Sequence, residues 1–231
     1  DTGKLRDVLE FYPSQNDVIA DVISKSININ KENIFVGNGA IEVIQSVMHN
    51  FVGKKVIVNI PTFSSYYEFA REDTEVVYYQ LDKKDDYALM ADKYLEFVKK
   101  ENPDSVVIIN PNGGYLKYKD LRYILNNLKN IIIDESFIHF AFEDEEYELI
   151  SATELYKEVS NVIVIKSMSK DFGIAGIRAG YGVMDKYKVL KLLKNGYLWN
   201  SSGLSEYFFR LYKRDDFFEK YEQIRKKYII E

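Results

Sequence analysis

The 231-residue sequence contains no cysteine and only two histidines, His49 and His139. Without cysteine, the chain can form neither a disulfide framework nor a thiolate metal site. Two histidines are also few for a zinc site or a Ser-His-Asp triad. We therefore expect no metal site. We interpret His139 as a solvated or hydrogen-bonded side chain and His49 as a structural one.

Features that would indicate a membrane or a nucleic acid as a partner are missing too. No apolar run reaches membrane-spanning length and no secretory signal is recognised, so we expect a cytoplasmic protein. The net charge is −5 with both signs scattered, which indicates neither a nucleic-acid surface nor a membrane anchor. With 46% hydrophobic residues, the chain can build one large or two modest domains.

What the sequence does contain is an alternation of short apolar runs and segments with helical spacing. The runs are continuous and β-branched, which is typical of buried strands. The alternation predicts an α/β fold with a mostly parallel sheet covered on both faces. The predicted strands are 34–36, 55–60, 76–81, 105–109, 130–133 and 161–165. The predicted helices are 17–26, 41–51, 65–72, 91–101, 118–128, 153–159, 189–194 and one from 205 onward.

Polar or glycine-rich segments follow four of the predicted strands. They are Gly37-Asn38-Gly39-Ala40, Asn110-Pro111-Asn112, Asp134-Glu135-Ser136 and the segment from Ser167 to Lys170. Because ligands bind at the carboxyl ends of parallel strands, we expect the four segments to converge on one cleft. A lysine at the mouth of a strand is a candidate for imine chemistry, although a lone lysine is more often simply solvated.

The strand ends offer what a phosphorylated pyridine aldehyde cofactor needs. Such a cofactor needs a lysine, a carboxylate for its ring nitrogen, donors for its phosphate and a flat side chain against its ring. Lys170 and Asp134 are candidates for the first two needs, and Phe63, after Pro61-Thr62, is a candidate for the last. The candidate phosphate donors are Ser167, Ser169, Arg178 and the amides of Gly39 and Ala40.

The segment from Ser167 to Tyr181 resembles the lysine signature of fold-type I pyridoxal 5′-phosphate (PLP) enzymes. It reads Ser-Met-Ser-Lys-Asp-Phe-Gly-Ile-Ala-Gly-Ile-Arg-Ala-Gly-Tyr. More narrowly, it resembles the class I/II aminotransferases of the branch that contains histidinol-phosphate aminotransferases and threonine-phosphate decarboxylases. Nearly the whole chain takes part, because the Gly39, Phe63, Asn110 and Asp134 segments follow in the family's order and the spacing from Asp134 to Lys170 is usual for it.

The resemblance implies a role for each matched residue. Lys170 would hold the cofactor and move the proton at the substrate α-carbon, and Asp134 would pair with the ring nitrogen. Phe63 would stack on the ring, unless it is plain core, and Tyr66 could compete for that role or merely pack. Asn110 or Asn112 would donate to the phenolic oxygen of the cofactor, with a simple turn former as the alternative for Asn112. The phosphate would be bound by Ser167, Ser169, Arg178, Gly39 and Ala40.

The resemblance also implies an assembly and a domain plan. Tyr12 resembles the tyrosine that reaches the phosphate of the neighbouring subunit, which implies a homodimer with shared active sites, although a plain turn aromatic is the alternative. The family has a three-layer αβα fold. Residues 1–30 would form an N-terminal arm with part of the small domain, and residues 31–195 the PLP-binding large domain. Residues 196–231 would begin a C-terminal small domain that is otherwise largely absent.

Three departures from the family pattern affect the functional prediction. The chain passes from Asn112 directly to Gly113-Gly114, where relatives have a longer loop, so the choice between Asn110 and Asn112 stays open. Phe137 stands where many aminotransferases have a tyrosine, and it cannot donate that hydrogen bond. In the family, phenylalanine at this position is seen more on the decarboxylase-like side. No residue can be assigned to the clamp that holds the substrate carboxylate.

We therefore expect a PLP-dependent aminotransferase acting on small molecules. It would move an amino group between an amino acid, phosphorylated or not, and a 2-oxo acid or keto compound. The alternative is a PLP-dependent decarboxylase of a phosphorylated amino acid, because without the clamp the two reactions cannot be separated. An alternative of another class is a non-catalytic PLP-binding regulatory module, against which the negative charge and the absence of a DNA-binding domain argue.

Overall fold

The computed structural model describes residues 2–126, 128, 130–140 and 151–230. The helices are α1 (Thr2–Glu10), α2 (Asn16–Ile27), α3 (Ala40–Asn50), α4 (Ser65–Glu68), α5 (Ala91–Glu101), α6 (Tyr118–Leu125), α7 (Ala152–Tyr156), α8 (Lys186–Lys194), α9 (Gly203–Tyr212) and α10 (Asp215–Ile230). The strands are β1 (Ile34–Asn38), β2 (Lys55–Ile60), β3 (Glu75–Gln80), β4 (Ser105–Ile109), β5 (Ile131–Asp134), β6 (Val162–Ser167) and β7 (Ala179–Val183). Among the described residues, no helix is long and apolar enough to cross a membrane.

The chain forms two compact units. Unit 1 comprises Asp1–Val43 and Ser167–Glu231, and unit 2 comprises Ile44–Lys166. The predicted domain boundaries after residues 30 and 195 stay predictions.

Unit 2 is built on parallel strands in the order β6-β5-β4-β2-β3. Their β-branched side chains are buried along almost the full length of β4, β5 and β6. The register places Asp134 opposite both Ile109 of β4 and Ile165 of β6. The chain segments that follow β4 and β5 therefore begin side by side.

Unit 1 contains an antiparallel strand pair. Strands β1 and β7 pair with Gly37 opposite Gly180, and both strands are buried except at Asn38. Helices α2 and α9 contribute Ile19, Ile23 and Phe209 to the core of this unit. The rings of Phe35 and Tyr197 also form a T-shaped pair at a centroid distance of 5.9 Å.

The α/β class and the mostly parallel strand arrangement are confirmed, but two elements were missed. Strand β7 reads Ala-Gly-Tyr-Gly-Val, and two glycines in five residues conceal a strand because glycine has a low strand propensity. Helix α1 was also missed, because residues 1–33 were read as polar with only one helical segment. The antiparallel pairing of β1 with β7 is set by contacts that the pattern of either strand does not contain.

Helix α4 is shorter than predicted, ending at Glu68 rather than at residue 72. Just beyond it, the Arg71 side chain donates to the carbonyls of His49 (2.8 Å) and Gly53 (3.3 Å), and the Thr74 hydroxyl also donates to the Gly53 carbonyl (3.0 Å). These bonds tie the chain to the turn between α3 and β2. A helical pattern cannot reveal such contacts, because they join residues that are distant in sequence.

Candidate active site

Asp134 is the last residue of β5 and is almost fully buried, with 4% of its surface exposed. The Tyr66 hydroxyl donates to Oδ2 of Asp134 (2.7 Å), and the Ser136 amide donates to Oδ1 (2.7 Å). Burial raises the pKa of Asp134, while the bonds from Ser136 and Tyr66 act in the opposite direction. Unit 2 therefore holds a carboxylate in a fixed direction at the end of a central strand.

Tyr66 has a role that its sequence pattern does not predict, as a hydrogen-bond donor to Asp134. We expected it to stack on the cofactor or merely to pack, but it is fully buried and donates to Asp134. Burial and the neighbouring negative charge raise the pKa of Tyr66 well above its usual value, so the hydroxyl keeps its proton and remains a donor. The sequence feature that could have indicated this bond is the choice of tyrosine rather than phenylalanine on a buried helix. A buried tyrosine hydroxyl usually finds a hydrogen-bond partner.

Phe63 lies between the end of β2 and α4 and is 55% exposed. The plain-core alternative does not fit this exposure, whereas an open ring face suits stacking on a planar ligand. Phe137 is also exposed, with its ring 6.2 Å from that of Phe140. His139 is partly exposed, as expected, and belongs to a short 3-10 turn after β5.

The two asparagines after β4 have different structural roles. Asn110 is fully buried, and its side chain accepts from the Leu116 amide (2.8 Å) and donates to the Leu116 carbonyl (3.2 Å), which closes the short loop. Asn112 lies nearer the surface and donates to the Pro61 carbonyl (2.9 Å). Both amides are thus used within unit 2, and their predicted bond to the cofactor stays a prediction.

In unit 1, a tight loop presents Lys170. The Met168 amide donates to the Ala179 carbonyl (3.1 Å), and the Ser169 amide donates to the Ser167 hydroxyl (3.2 Å). The Gly173 amide donates to the Lys170 carbonyl (3.2 Å). Ser167 and Ser169 are buried, whereas Lys170 is exposed. The loop therefore places an exposed lysine directly after a buried serine.

Phe172 anchors this loop to the last two helices of unit 1. Its ring lies 4.3 Å from Tyr221, 5.1 Å from Phe208 and 5.7 Å from Phe217, measured between centroids. Such clustered aromatic contacts stabilise beyond the area that they bury. They fix the loop two residues after Lys170.

Arg178 and Gly39 are brought together in the same unit. Arg178 has the left-handed backbone conformation (φ 57°) and donates to the Ala175 carbonyl (3.1 Å). Gly39 has a φ of 76°, and a Cβ built on it would lie only 2.7 Å from Nη2 of Arg178. The guanidinium therefore packs on the bare backbone where α3 begins. A helix start with an adjacent arginine is a suitable anion site.

Gly180 of β7 lets the chain approach this turn. A Cβ on Gly180 would lie 2.6 Å from the carbonyl carbon of Gly39 and would also collide with the Ala40 amide. The Gly39 amide itself donates to the Gly37 carbonyl (2.8 Å), and Glu42 accepts from the Asn38 amide (2.7 Å). The close approach thus depends on a residue without a side chain at position 180.

Tyr12 lies between α1 and α2 and is 95% exposed. Its side chain is therefore accessible, as a residue that reaches a neighbouring subunit must be. Its predicted role stays a prediction.

Taken one by one, the residues of both units fit a PLP cofactor. Unit 1 supplies a lysine, two buried serine hydroxyls and an arginine on a helix start, which suit an aldehyde and a phosphate. Unit 2 supplies a buried carboxylate whose two oxygens already have fixed donors, which suits a protonated ring nitrogen.

Comparison with known proteins shows the family to which the chain belongs. Residues 9–231 match the family model described as aminotransferase class I and II. The chain belongs to this family. Its members depend on PLP, so the predicted family of PLP-dependent enzymes and the predicted cofactor are confirmed.

Two similar relatives are L-serine phosphate decarboxylases. The protein from Campylobacter jejuni is 65% identical, and the alignment covers 100% of this chain and 61% of that protein. The protein from Sulfurospirillum multivorans is 49% identical, covering 100% and 60%. A solved structure of a decarboxylase from the latter organism superimposes with a TM-score of 0.92 over 100% of this chain and 60% of that one. The chain thus spans about three fifths of the length of these relatives.

A histidinol-phosphate aminotransferase from Methanocaldococcus jannaschii is more distant, at 30% identity over 93% of this chain and 58% of that protein. The predicted branch of the family and the three-layer fold class are therefore confirmed. The predicted aminotransferase activity is wrong, because both relatives of high identity are decarboxylases. These findings favour the decarboxylase alternative. The error arose because no residue of the sequence could be assigned to the clamp for the substrate carboxylate, so only Phe137 indicated the decarboxylase side.

Proposed function

We propose that this protein is a PLP-dependent decarboxylase of a phosphorylated amino acid, with L-serine phosphate as its substrate. The observation that carries the proposal is the identity of 65% and 49%, over the whole chain, to two L-serine phosphate decarboxylases. Phe137 supports it independently. This phenylalanine replaces a tyrosine of many aminotransferases, and its exposed ring can offer the cofactor only an apolar surface.

In the proposed reaction, the bond between the α-carbon and the carboxyl carbon breaks and carbon dioxide leaves. A proton takes the place of the carboxyl group, so L-serine phosphate yields ethanolamine phosphate. When bound, PLP supplies an electron sink for the charge left on the α-carbon.

Each predicted site residue has a proposed task in this reaction. The Lys170 amino group would hold the cofactor and deliver the proton to the α-carbon. Asp134, oriented by Tyr66, would keep the ring nitrogen protonated. Phe63 would cover one face of the ring, and Asn110 or Asn112 would donate to the phenolic oxygen. The phosphate would be bound by Ser167, Ser169, Arg178, Gly39 and Ala40.

We further propose that two copies assemble with shared active sites. The support is the exposed pair Phe11 and Tyr12, which are 69% and 95% exposed on the segment before α2. An aromatic pair at the surface suits an interface, because tyrosine gives contact area and a polar handle. Sedimentation of the unsubstituted protein and of a Tyr12→Ser variant would show whether the dimer forms and whether Tyr12 contributes to it.

The decisive experiment supplies L-serine phosphate to the purified protein with PLP. We expect release of carbon dioxide and ethanolamine phosphate, without stoichiometric conversion of the cofactor to its pyridoxamine form. Borohydride should fix the cofactor to the protein, and peptide mass analysis should place it on Lys170. The Lys170→Ala variant should take up no fixed cofactor and should lose at least about 10³-fold in rate, as expected for loss of a proton-transfer group.

Different outcomes would contradict different parts of the proposal. Pyridoxamine formation without carbon dioxide would exclude decarboxylation while leaving the cofactor assignment intact. Fixation of the cofactor in Lys170→Ala at the same yield as in the unsubstituted protein would exclude the assigned lysine.

A further inference from the structure

A second buried pair of charges lies beside Asp134 in unit 2. Glu135 directly follows Asp134, and its side chain is fully buried, while that of Lys166 is 8% exposed. The Lys166 ammonium contacts Oε2 of Glu135 at 2.5 Å. The Glu135 amide also donates to the Ile165 carbonyl (2.9 Å), so both backbone and side chain join the ends of β5 and β6.

Glu135 has further partners at the start of α7. Its Oε2 accepts from the Ser151 hydroxyl (2.6 Å), and its Oε1 accepts from the Ala152 amide (2.5 Å). Ser151 caps α7 by accepting from the Thr153 amide (3.1 Å). A carboxylate at this position also suits the positive end of the helix. Glu135 therefore ties three elements together at the point where Asp134 emerges.

The position of Glu135 next to Asp134 explains why Glu135 is paired with a cation. Two adjacent buried carboxylates repel each other, and the Glu135 charge acts to raise the pKa of Asp134. The groups that hydrogen-bond Asp134 are the Tyr66 hydroxyl and both the amide and the side chain of Ser136. The Lys166 ammonium is the positive charge that contacts Glu135, and an ion pair reduces the field that a carboxylate exerts on its neighbours.

We propose that Glu135 and Lys166 are positioning residues for Asp134, fixing the end of β5 and balancing the charge beside the carboxylate that serves the cofactor ring. This inference rests on the proposed function, because it assumes that Asp134 acts on bound PLP. Neither side chain needs to touch the cofactor. Their effect is transmitted through the position and the ionisation of Asp134.

The two single substitutions have opposite electrostatic consequences. Lys166→Met leaves the Glu135 carboxylate without its cation, so Asp134 should take up a proton at higher pH. Glu135→Gln removes a negative neighbour and leaves the Lys166 ammonium, so Asp134 should stay ionised to lower pH. The double variant removes both charges and should behave like the unsubstituted protein.

The test measures the dissociation constant of PLP across a pH series, from the absorbance of the holoprotein. Affinity should fall on the acid side as Asp134 is protonated. We expect the midpoint of this fall to move up by about half a pH unit or more in Lys166→Met, as for loss of a nearby opposite charge, and to move down in Glu135→Gln. Glu135→Gln keeps an acceptor for Ala152, so it tests the proposal even if Lys166→Met does not fold.

Lys55→Met is the matched control. Lys55 pairs with Glu101 (2.9 Å) at the amino end of β2, opposite to the end of the strands where Asp134 lies, so its loss should leave the midpoint unchanged. If both site variants fold and bind PLP with an unshifted midpoint, or with shifts of the same sign, the positioning role is overturned while the proposed function stands. If the unsubstituted protein binds no PLP at any pH, both proposals fail.

Discussion

Unit 1 fixes its predicted phosphate-binding residues through backbone conformation, whereas unit 2 fixes Asp134 through hydrogen bonds between buried groups. In unit 1, Arg178 and Gly39 adopt positive φ angles, and Gly180 makes room for the turn before α3. In unit 2, the Tyr66 hydroxyl and the Ser136 amide each hold one oxygen of Asp134. The comparison predicts that a side chain added near the turn before α3 destabilises unit 1. It also predicts that removal of a hydrogen-bond donor to Asp134 destabilises unit 2.

The largest effect is expected from added volume at Gly180. Gly180→Ala would place a Cβ 2.6 Å from the carbonyl carbon of Gly39, so the strand or the turn must move. We expect a loss of about 3 kcal/mol in the free energy of unfolding, the upper part of the usual range for overpacking. Urea unfolding monitored by circular dichroism measures this loss.

Gly176→Ala is the control in the same signature. A Cβ at position 176 would meet no atom of the described residues within 4 Å, so the change should stay within about 0.5 kcal/mol. Equal losses in the two variants would show that volume at Gly180 is not the cause.

An intermediate effect is expected from removal of one donor in unit 2. Tyr66→Phe keeps the buried ring but leaves Oδ2 of Asp134 without its hydroxyl donor. We expect a loss of about 2 kcal/mol, as for a hydrogen bond to a charged group, together with a rise in the pKa of Asp134.

Tyr94→Phe provides the matched control within unit 2. Tyr94 is as fully buried as Tyr66, but its hydroxyl has no hydrogen-bond partner among the described residues. Removal of this hydroxyl should therefore be neutral or stabilising, because a buried polar atom without a partner costs stability. A loss in Tyr94→Phe as large as that in Tyr66→Phe would contradict the importance of the bond to Asp134.

The smallest effect concerns the charge of Asp134 itself. Burial raises the pKa of Asp134, so the folded cofactor-free protein binds this proton more tightly than the unfolded chain does. The ionised form costs stability, and this cost accumulates as the pH rises from the usual aspartate pKa to the raised one. Asp134→Asn should therefore make the cofactor-free protein more stable at neutral pH.

Urea unfolding of both proteins between acid and neutral pH measures the difference. The gain from Asp134→Asn should vanish below the usual pKa range of aspartate, where the native carboxyl is protonated in both states. A variant that is less stable than the unsubstituted protein at neutral pH would show that the ionised carboxylate stabilises the fold.

Much of unit 2 could be read from sequence patterns because its elements are local and regular. Strands β2 and β4 and helix α5 begin and end at the predicted residues. These segments carry continuous apolar runs or clear helical spacing between strong breaks. Strand β7 was missed because its glycines serve the close approach to the turn before α3, a requirement set by a segment far away in sequence.

The candidate site shows the same division between local and distant information. Lys170, Asp134 and Arg178 were predicted because each stands in a motif at the end of a strand. The bond from Tyr66 to Asp134 and the pair formed by Glu135 and Lys166 could not be read in this way. Their partners lie far apart along the chain and meet only through the register of the sheet and the packing of α4.

The sequence by itself determined the α/β class, the family and the cofactor, because ordered motifs at strand ends carry that information locally. The tertiary structure decided which groups hold those motif residues in place. Tyr66 became a donor rather than a stacking ring, and Glu135 became a buried link between β5, β6 and α7. The physical reason is that a buried polar group without a partner costs stability, and the fold determines which partner is near.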